Sequence, residues 1–531
     1  MSAEGNPPET YWRWHLYGAG LENVGRDGKA EQVPLPEPGP DEILVRHDAC
    51  GICYSDIKII ALGGEHPRLA GRNLQTEPVV MGHEVTLTAV KVGDNRRGEF
   101  SVGQRFIVQA DIFYKGVGMA YGYAIAGGMS QYGIIGSEVI EGDEGNYLIP
   151  LMESTHDAEA ALVEPWACVE AAYHWSHERE WQAEQPGIFV NSKRGTQVDL
   201  PEGVLFWNGA GEVPRPSTDG DAGNGVASGY YSAVFYGTPT ARVFEETCAL
   251  LARNAAVDLR FDVPLDRPVK VDVGRIHYDG HAYIGPHRND RSELRGGGIT
   301  WFIGAAGPMG MMHVQRALAL PHPPHRLLCT DRHDARLKAV KERFGALAQS
   351  RGIELILVNV RTEPEIDFSA IAPNGFDDVV IMVPSVEAIE QSFPLLAQDG
   401  ILNIFAGVAR GVTATLDIGD IVRKNVRIVG TTGSTIADMR EVLIKLESGQ
   451  LATGDSLAAI GGLNAFRDGL AAVKDSRFPG KTVIFPQIPD LPLTALTDLA
   501  SVRPDVYALL RDGRFWTAEA EEALLSGAQN N

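Results

Sequence analysis

Three short segments of the chain carry side chains suited to holding a metal ion. They are Cys50-Gly51-Ile52-Cys53-Tyr54-Ser55-Asp56, Gly82-His83-Glu84 and Val163-Glu164-Pro165. Thiolate, imidazole and carboxylate together suit Zn²⁺, and three protein ligands plus water describe a catalytic rather than a structural site. Zinc in such a site polarises an alcohol or carbonyl oxygen, making the alkoxide accessible near neutral pH so that a hydride can leave. Ser55, two residues after Cys53, is placed to pass the alcohol proton outward. Each segment alone has a plainer reading. Cys50 and Cys53 form a C-x-x-C, which is a redox pair in other settings, but there is no second C-x-x-C and no thioredoxin-like context. A His-Glu pair after glycine is commonly polar surface, and Glu164 reads equally as a helix N-terminal carboxylate. The order and spacing of all three, upstream of a nucleotide-type fold, raise them above these readings.

The second chemical feature is the turn Gly304-Ala305-Ala306-Gly307-Pro308-Met309-Gly310. A dinucleotide-binding turn needs glycine where backbone approaches a pyrophosphate at a helix N-terminus. Here Ala305 stands where the first glycine of G-x-G-x-x-G is expected, with Gly304 one step earlier. The context strengthens the motif: it follows an apolar strand, opens a helix, and Asp331 ends the next strand 21 residues after Gly310. A carboxylate there accepts bonds from a ribose hydroxyl and repels a 2′-phosphate, which favours NAD over NADP. Arg332 beside it is a residue that can pair with such a phosphate.

The elements that must position these groups fall into two patterns. Residues 11–110 alternate or run apolar in short segments such as EILVRHDA, EVTLTAVKVG and RFIVQADIF, separated by Gly, Pro and Asp, which predicts a β-rich region. Residues 157–178 read as a helix. From Gly298 the pattern changes to short apolar strands alternating with helices, which implies a parallel α/β sheet. The expected division is 1–178 (β-rich catalytic), 179–298 (insert), 299–433 (nucleotide-binding) and 434–531 (return to the catalytic domain and tail). In the tail, Leu496, Leu499, Val502, Val506 and Leu509 form an apolar stripe at helical spacing that Pro504 breaks in two, and such a stripe usually packs on its own domain.

The insert carries an internal similarity. Residues 233–285 align without gaps to residues 378–430 at a constant offset of 145, with 11 identities in 53 positions, and GVLFWNGAGE (203–212) echoes GITWFIGAAG (298–307). We read this as a shortened second copy of the nucleotide-binding half, structural rather than cofactor-binding; two βα units converging on one apolar pattern are the alternative.

Bulk properties narrow the class. At 531 residues the chain is too long for one ordinary core. A net charge of −22 argues against nucleic-acid or anionic-membrane partners. No apolar run reaches membrane-spanning length, no signal peptide is evident, and five scattered cysteines fit a reducing compartment, so the expectation is a cytoplasmic protein with a small-molecule substrate.

Taken with PEPGPDEILVR and the VGQR turn, these motifs resemble the zinc-containing medium-chain dehydrogenase/reductase family over residues 12–175 and 299–485. The Glu164-Pro165 pair resembles the sorbitol, threonine and related polyol branch, and GAAGPMGMMHVQRAL with the long insert resembles the L-sorbose-1-phosphate reductase relatives. The resemblance implies an α/β chain with a GroES-like β-rich catalytic domain and a Rossmann parallel-sheet domain, here with an inserted partial Rossmann-like duplicate, and an active site in the cleft between the two domains. It implies Cys53, His83 and Glu84 as catalytic zinc ligands, Glu164 as a further carboxylate at the metal able to exchange with Glu84, and Ser55 as the proton-relay hydroxyl. It also implies NAD(H) bound at Gly304, Ala306, Gly307, Pro308, Met309, Gly310, Asp331 and Arg332, and a homo-oligomer, dimer or tetramer, associated through the Rossmann sheet edge. Two departures stand out. Many relatives carry a histidine five residues after the catalytic cysteine, where this chain has Lys58, so the relay is shorter or uses lysine and water. The structural-zinc lobe of most relatives has four cysteines, whereas residues 106–145 have none, so one catalytic zinc per chain and no structural zinc is expected. The expected reaction is hydride transfer between NAD(H) and a polyol, ketose or sugar phosphate. The alternatives are a threonine-type amino-alcohol dehydrogenase and a non-catalytic NAD-binding relative; a zinc-free quinone reductase has no need of the ligand set.

Overall fold

A computed structural model describes residues 7–69, 71–174, 185–193, 199–201, 203–216, 229–287 and 291–528. The chain forms two compact units, Met1–Glu170 with Gly433–Asn531, and Ala171–Thr432. No helix among the described residues is long and apolar enough to cross a membrane.

The first unit is built on an eight-stranded sheet. Its central strand, Ile43–Ile52, is buried along nearly its whole length. It pairs antiparallel with Glu84–Val92 on one side. On the other side it pairs with Tyr132–Ile135 near its start and with Lys481–Phe485 near its end. The C-terminal part of the chain therefore returns to complete the sheet that the N-terminal part begins. The helix expected over 157–178 is two helices, Asp157–Ala161 and Val163–Ala171, separated at Leu162; residues 175–178 lie outside those described. In the tail, Leu496, Leu499 and Val506 are buried, as a stripe packed on its own domain requires, while Val502 and Leu509 are exposed. Glu521, on the helix Ala518–Ala528, accepts hydrogen bonds from the backbone N–H groups of Asp157 and Ala158 and so caps the helix Asp157–Ala161.

The second unit is an eleven-stranded sheet. One half runs Glu354–Asn359, Arg326–Asp331, Ile299–Ile303, Phe376–Ile381, Leu396–Ile404, Arg427–Val429, all parallel. In chain order that is 3-2-1-4-5-6, the arrangement of a doubly wound dinucleotide-binding sheet. The other half runs Val204–Trp207, Gly187–Asn191, Tyr230–Tyr236, Leu251–Arg260, Ala282–Ile284, also parallel. Among the described residues this is the same order without a third strand: 2-1-4-5-6. The halves meet where Ala282–Ile284 pairs antiparallel with Arg427–Val429. One hydrophobic core runs through both, from Ile188 and Phe235 to Leu402 and Ile428.

The topology refines the internal alignment in two places. The counterpart of Ile299–Ile303 is Gly187–Asn191, because each lies between its strands 2 and 4; Val204–Trp207 occupies the strand 2 position. The echo between 203–212 and 298–307 thus joins strands of different rank that share an apolar run ending in glycine. Second, Ala233 pairs with Val257 as Val379 pairs with Leu402. On that strand the offset is 146, while the helix caps Thr240 and Ser385 and everything after them keep 145. Val234 and Val379 are therefore not equivalent.

Candidate active site

Cys53 ends the strand-to-helix turn after Ile52 and is the N-cap of the helix Tyr54–Leu62, held by a reciprocal cap in which Asp56 Oδ2 accepts the Cys53 N–H at 2.9 Å. His83 and Glu84 arrive on the neighbouring strand, where Glu84 stands opposite Gly51. One ligand atom from each of Cys53, His83 and Glu84 lies within 4.8 Å of the others. His83 and Glu84 are buried and Cys53 is partly so.

Two glycines are required by this arrangement. A Cβ on Gly51 would lie 2.1 Å from Glu84 Oε2. Gly82 adopts φ +96°, and a Cβ there would meet Cys50 Sγ at 2.7 Å. Glu84 Oε2 takes the gap at Gly51, while its Oε1 pairs with the Lys481 ammonium, brought in by the strand on the far side of Ile43–Ile52. Both side chains are buried.

Among the described residues, Glu84 Oε2 and His83 Nδ1 are buried without a hydrogen-bond partner. Buried polar atoms normally have one, so Glu84 Oε2 is a donor open to a ligand. Asp56 Oδ1 lies 3.6 Å from His83 Nδ1, and Ser55 Oγ lies 3.1 Å from His83 Nε2. Burial works against a charged His83, but Asp56 and Cys53 outweigh it and push its pKa well up. A pocket that draws a proton onto a buried imidazole favours a cation. Sulfur, nitrogen and carboxylate donors together fit zinc.

Glu164, on the helix Val163–Ala171, belongs to the same neighbourhood. Burial pushes its pKa up to about 7, with His83 and Lys481 opposing and Glu84 reinforcing the shift. Its Oε1 accepts a long S–H contact from Cys168 at 3.7 Å. Lys58 is exposed on the helix that Cys53 caps. Burial, then the charges of Arg68 and Lys58, lower the pKa of His66 and so favour its neutral ring. Arg68 also pairs with Asp111 and lies over the Tyr123 ring, whose centroid is 6.0 Å from that of His83.

Sequence reasoning named Cys53, Ser55, His83, Glu84 and Glu164, and the structure places these together. It assigned no role to Lys481, Asp56, Arg68 or Tyr123. Asp56 was signalled by its position three residues after an N-cap; nothing in the sequence pointed to Lys481, which is 397 residues from Glu84.

In the other unit the glycine turn joins the strand Ile299–Ile303 to the helix Pro308–Ala319. Gly304 takes φ +84° and so makes the bend, leaving Ala305 buried in ordinary backbone geometry. Gly310 is packed against the strand end: a Cβ there would be 2.3 Å from Gly304 O. Gly307 differs. The nearest atom to its would-be Cβ is Gly304 O at 3.7 Å, an ordinary contact, so nothing within the protein demands glycine. Gly307 is also the N-cap of the helix, with no side chain capping it and Pro308 in the first turn. A cap that is glycine without internal need suits close approach of an anionic ligand. Asp331 Oδ2 accepts the Ala306 N–H at 3.3 Å, and Oδ1 accepts those of Arg332 and His333. Ala306 thus contributes by holding Asp331 against the turn. Met309 lies in the first turn of this helix, and Arg332 is exposed.

Residues 39–140 match the alcohol dehydrogenase GroES-like domain. Over almost its whole length the chain is similar to mannitol-1-phosphate 5-dehydrogenase of Aliivibrio fischeri, 26% identical across 94% of this chain and 95% of that one. It is similarly 23% identical to L-sorbose 1-phosphate reductase of Klebsiella pneumoniae across 95% and 96%. Among solved structures, 2R,3R-butanediol dehydrogenase of Bacillus subtilis superposes with a TM-score of 0.55 at 16% identity, covering 90% of this chain and 99% of that one. The architecture is thus a GroES-like unit with a Rossmann unit. These likenesses support a polyol dehydrogenase-like, zinc-type medium-chain dehydrogenase/reductase family for the chain.

Proposed function

We propose that this chain is a zinc-dependent oxidoreductase that moves a hydride between NAD(H) and a secondary alcohol or ketone of a polyol, ketose or sugar phosphate. The observation that carries the reading is the convergence of Cys53, His83 and Glu84 on one point with Ser55 Oγ beside His83. These three residues hold the metal, with Glu164 available as a further carboxylate. Bound zinc supplies a Lewis acid for the substrate oxygen. The Ser55 hydroxyl moves the alcohol proton away from the reacting oxygen. Glu164, whose carboxyl burial pushes up in the metal-free protein, is a second group able to exchange a proton with the site. Gly307 and the N-terminus of the helix Pro308–Ala319 receive the pyrophosphate, and Asp331 favours NAD over NADP.

One observation favours a phosphorylated substrate. The two full-length relatives named above carry sugar-phosphate or polyol-phosphate names. One zinc per chain and no structural zinc are part of the proposal. The test is metal content by elemental analysis, with NADH formation or loss followed on polyols, ketoses and their phosphates, and Cys53→Ser as control. One zinc per chain with turnover lost in the variant supports the reading. Absence of zinc, or zinc without turnover on any of these compounds, overturns it.

A further inference from the structure

The eleven-stranded sheet contains a second axis of organisation beyond its strand order. Tyr283 pairs with Ile428 across the one antiparallel junction, and these two residues are separated by 145. A short ladder beside the sheet pairs Val269–Asp272 antiparallel with Thr413–Leu416. At its middle Lys270 faces Thr415, again 145 apart. Each of these residues thus faces its own counterpart in the other half. The flanking pairs are reciprocal: Val269 faces Leu416, the counterpart of Val271, and Val271 faces Ala414, the counterpart of Val269.

The same reciprocity holds at backbone contacts. A Cβ on Gly285 would meet Ile421 O at 2.7 Å, and a Cβ on Gly430 would meet Ile276 O at 3.0 Å. Gly285 and Gly430 are counterparts, as are Ile276 and Ile421, and both pairs are identical residues. Each half also repeats its own internal bracing. Glu245 Oε1 accepts the Lys270 N–H at 2.8 Å, and Glu390 Oε1 accepts the Thr415 N–H at 2.6 Å. Asn254 and Asp399, also counterparts, both hold a left-handed backbone, φ +58° and +57°.

Self-facing residues on an axis, with reciprocal neighbours, define an isologous two-fold interface between two copies of one unit. An unpaired strand at Arg427–Val429 would present a row of open backbone groups, an invitation to another copy. We propose that the inserted half is a built-in second subunit. It occupies the sheet edge that a two-fold dimer would use, so no second copy of this chain pairs there. The twelfth strand expected of such a dimer is missing because the inserted half has no third strand among the described residues. The inserted half also has no helix among its described residues between its first and second strands, where the other half places Pro308–Ala319. The insert therefore completes a surface rather than a second nucleotide site, and the inference stands apart from the chemistry proposed above.

Disulfide trapping tests it in the full-length protein. The N–H groups of Lys270 and Thr415 point to their glutamates, so the two residues form a non-hydrogen-bonded pair, the closer kind in an antiparallel ladder. Both are exposed. The double variant Lys270→Cys/Thr415→Cys is expected to form a bridge within one chain on mild oxidation, read as a single-chain band of altered mobility under non-reducing conditions and as a linked peptide by mass spectrometry. Mixing isotopically labelled and unlabelled chains is expected to give no mixed bridge. Thr415→Cys alone is expected to give no covalent dimer beyond that of the oxidised parent. A covalent dimer through Thr415→Cys alone, a bridge between labelled and unlabelled chains, or no bridge in a folded double variant would each overturn the proposal.

Discussion

Glu84 sets its Oε2 in the space left by the missing side chain of Gly51 and binds the Lys481 ammonium with its Oε1. Glu84 and Lys481 lie on strands that flank Ile43–Ile52 from opposite sides. The pair leaves Glu84 Oε2 as the oxygen without a partner and fixes which way it points. Removing the ammonium leaves a buried carboxylate unpaired. In metal-free protein, Lys481→Met is therefore expected to lose about 3–5 kcal/mol of stability in a urea titration. Lys481→Met combined with Glu84→Gln is expected to recover part of that loss. A single variant as stable as the parent would mean the pair carries no structural weight.

Ser55 tests the proton path. Ser55→Ala removes the hydroxyl 3.1 Å from His83 Nε2 and leaves Cys53, His83 and Glu84 themselves unchanged. Turnover is expected to fall on the order of 10²-fold with zinc content unchanged. Unaltered kcat would remove Ser55 from the relay and leave Glu164 as the nearer candidate.

The parts of this site that were legible in sequence are those whose signals are local. Cys53, Ser55 and Asp56 share one helix start, and His83-Glu84 follows a glycine that only a left-handed turn requires. The glycine turn before Pro308 announced itself through strand, turn and helix together. Lys481 was illegible because its role arises from strand pairing between chain ends. The second copy was legible from Thr240 onward, where loops and helices keep one register. Its first strand was misassigned because 187–191 and 203–207 are both short apolar runs, and topology alone decides which lies beside Tyr230–Tyr236. The single helix expected over 157–178 failed at Leu162 because residues on both sides have helical propensity, and periodicity carries no mark of a change in axis.

The glycine turn separates a folding requirement from a binding requirement. Gly310→Ala places a Cβ 2.3 Å from Gly304 O, backbone that has little room to move. It is expected to cost about 1–3 kcal/mol in urea unfolding. Gly307→Ala meets only an ordinary contact at 3.7 Å, so its unfolding midpoint is expected to match the parent. Its affinity for NADH, measured by fluorescence titration, is expected to drop tenfold or more because the methyl group stands where the pyrophosphate approaches. Undiminished affinity in Gly307→Ala would show that the cofactor, if bound, does not pass over this cap.

Stability should also respond to pH through Glu159, which sits on the helix Asp157–Ala161. Burial, followed by the charge of Asp455, raises its pKa from 4.5 to about 7, against the opposing pull of Arg511. The folded state therefore keeps a proton that the unfolded chain releases at lower pH. Linkage then sets the sign: this contribution is fully present below about pH 4.5, declines as pH rises, and is lost above about pH 7. Asp157, Glu164 and Glu521 are shifted in the same direction, so the parent curve alone does not isolate Glu159. The difference between the parent and Glu159→Gln does, because glutamine keeps the shape and cannot ionise. In urea titrations spanning that window, the variant is expected to gain on the parent as pH rises and then hold a constant lead. A gap independent of pH would mean that Glu159 ionises in the folded protein as it does in the unfolded chain.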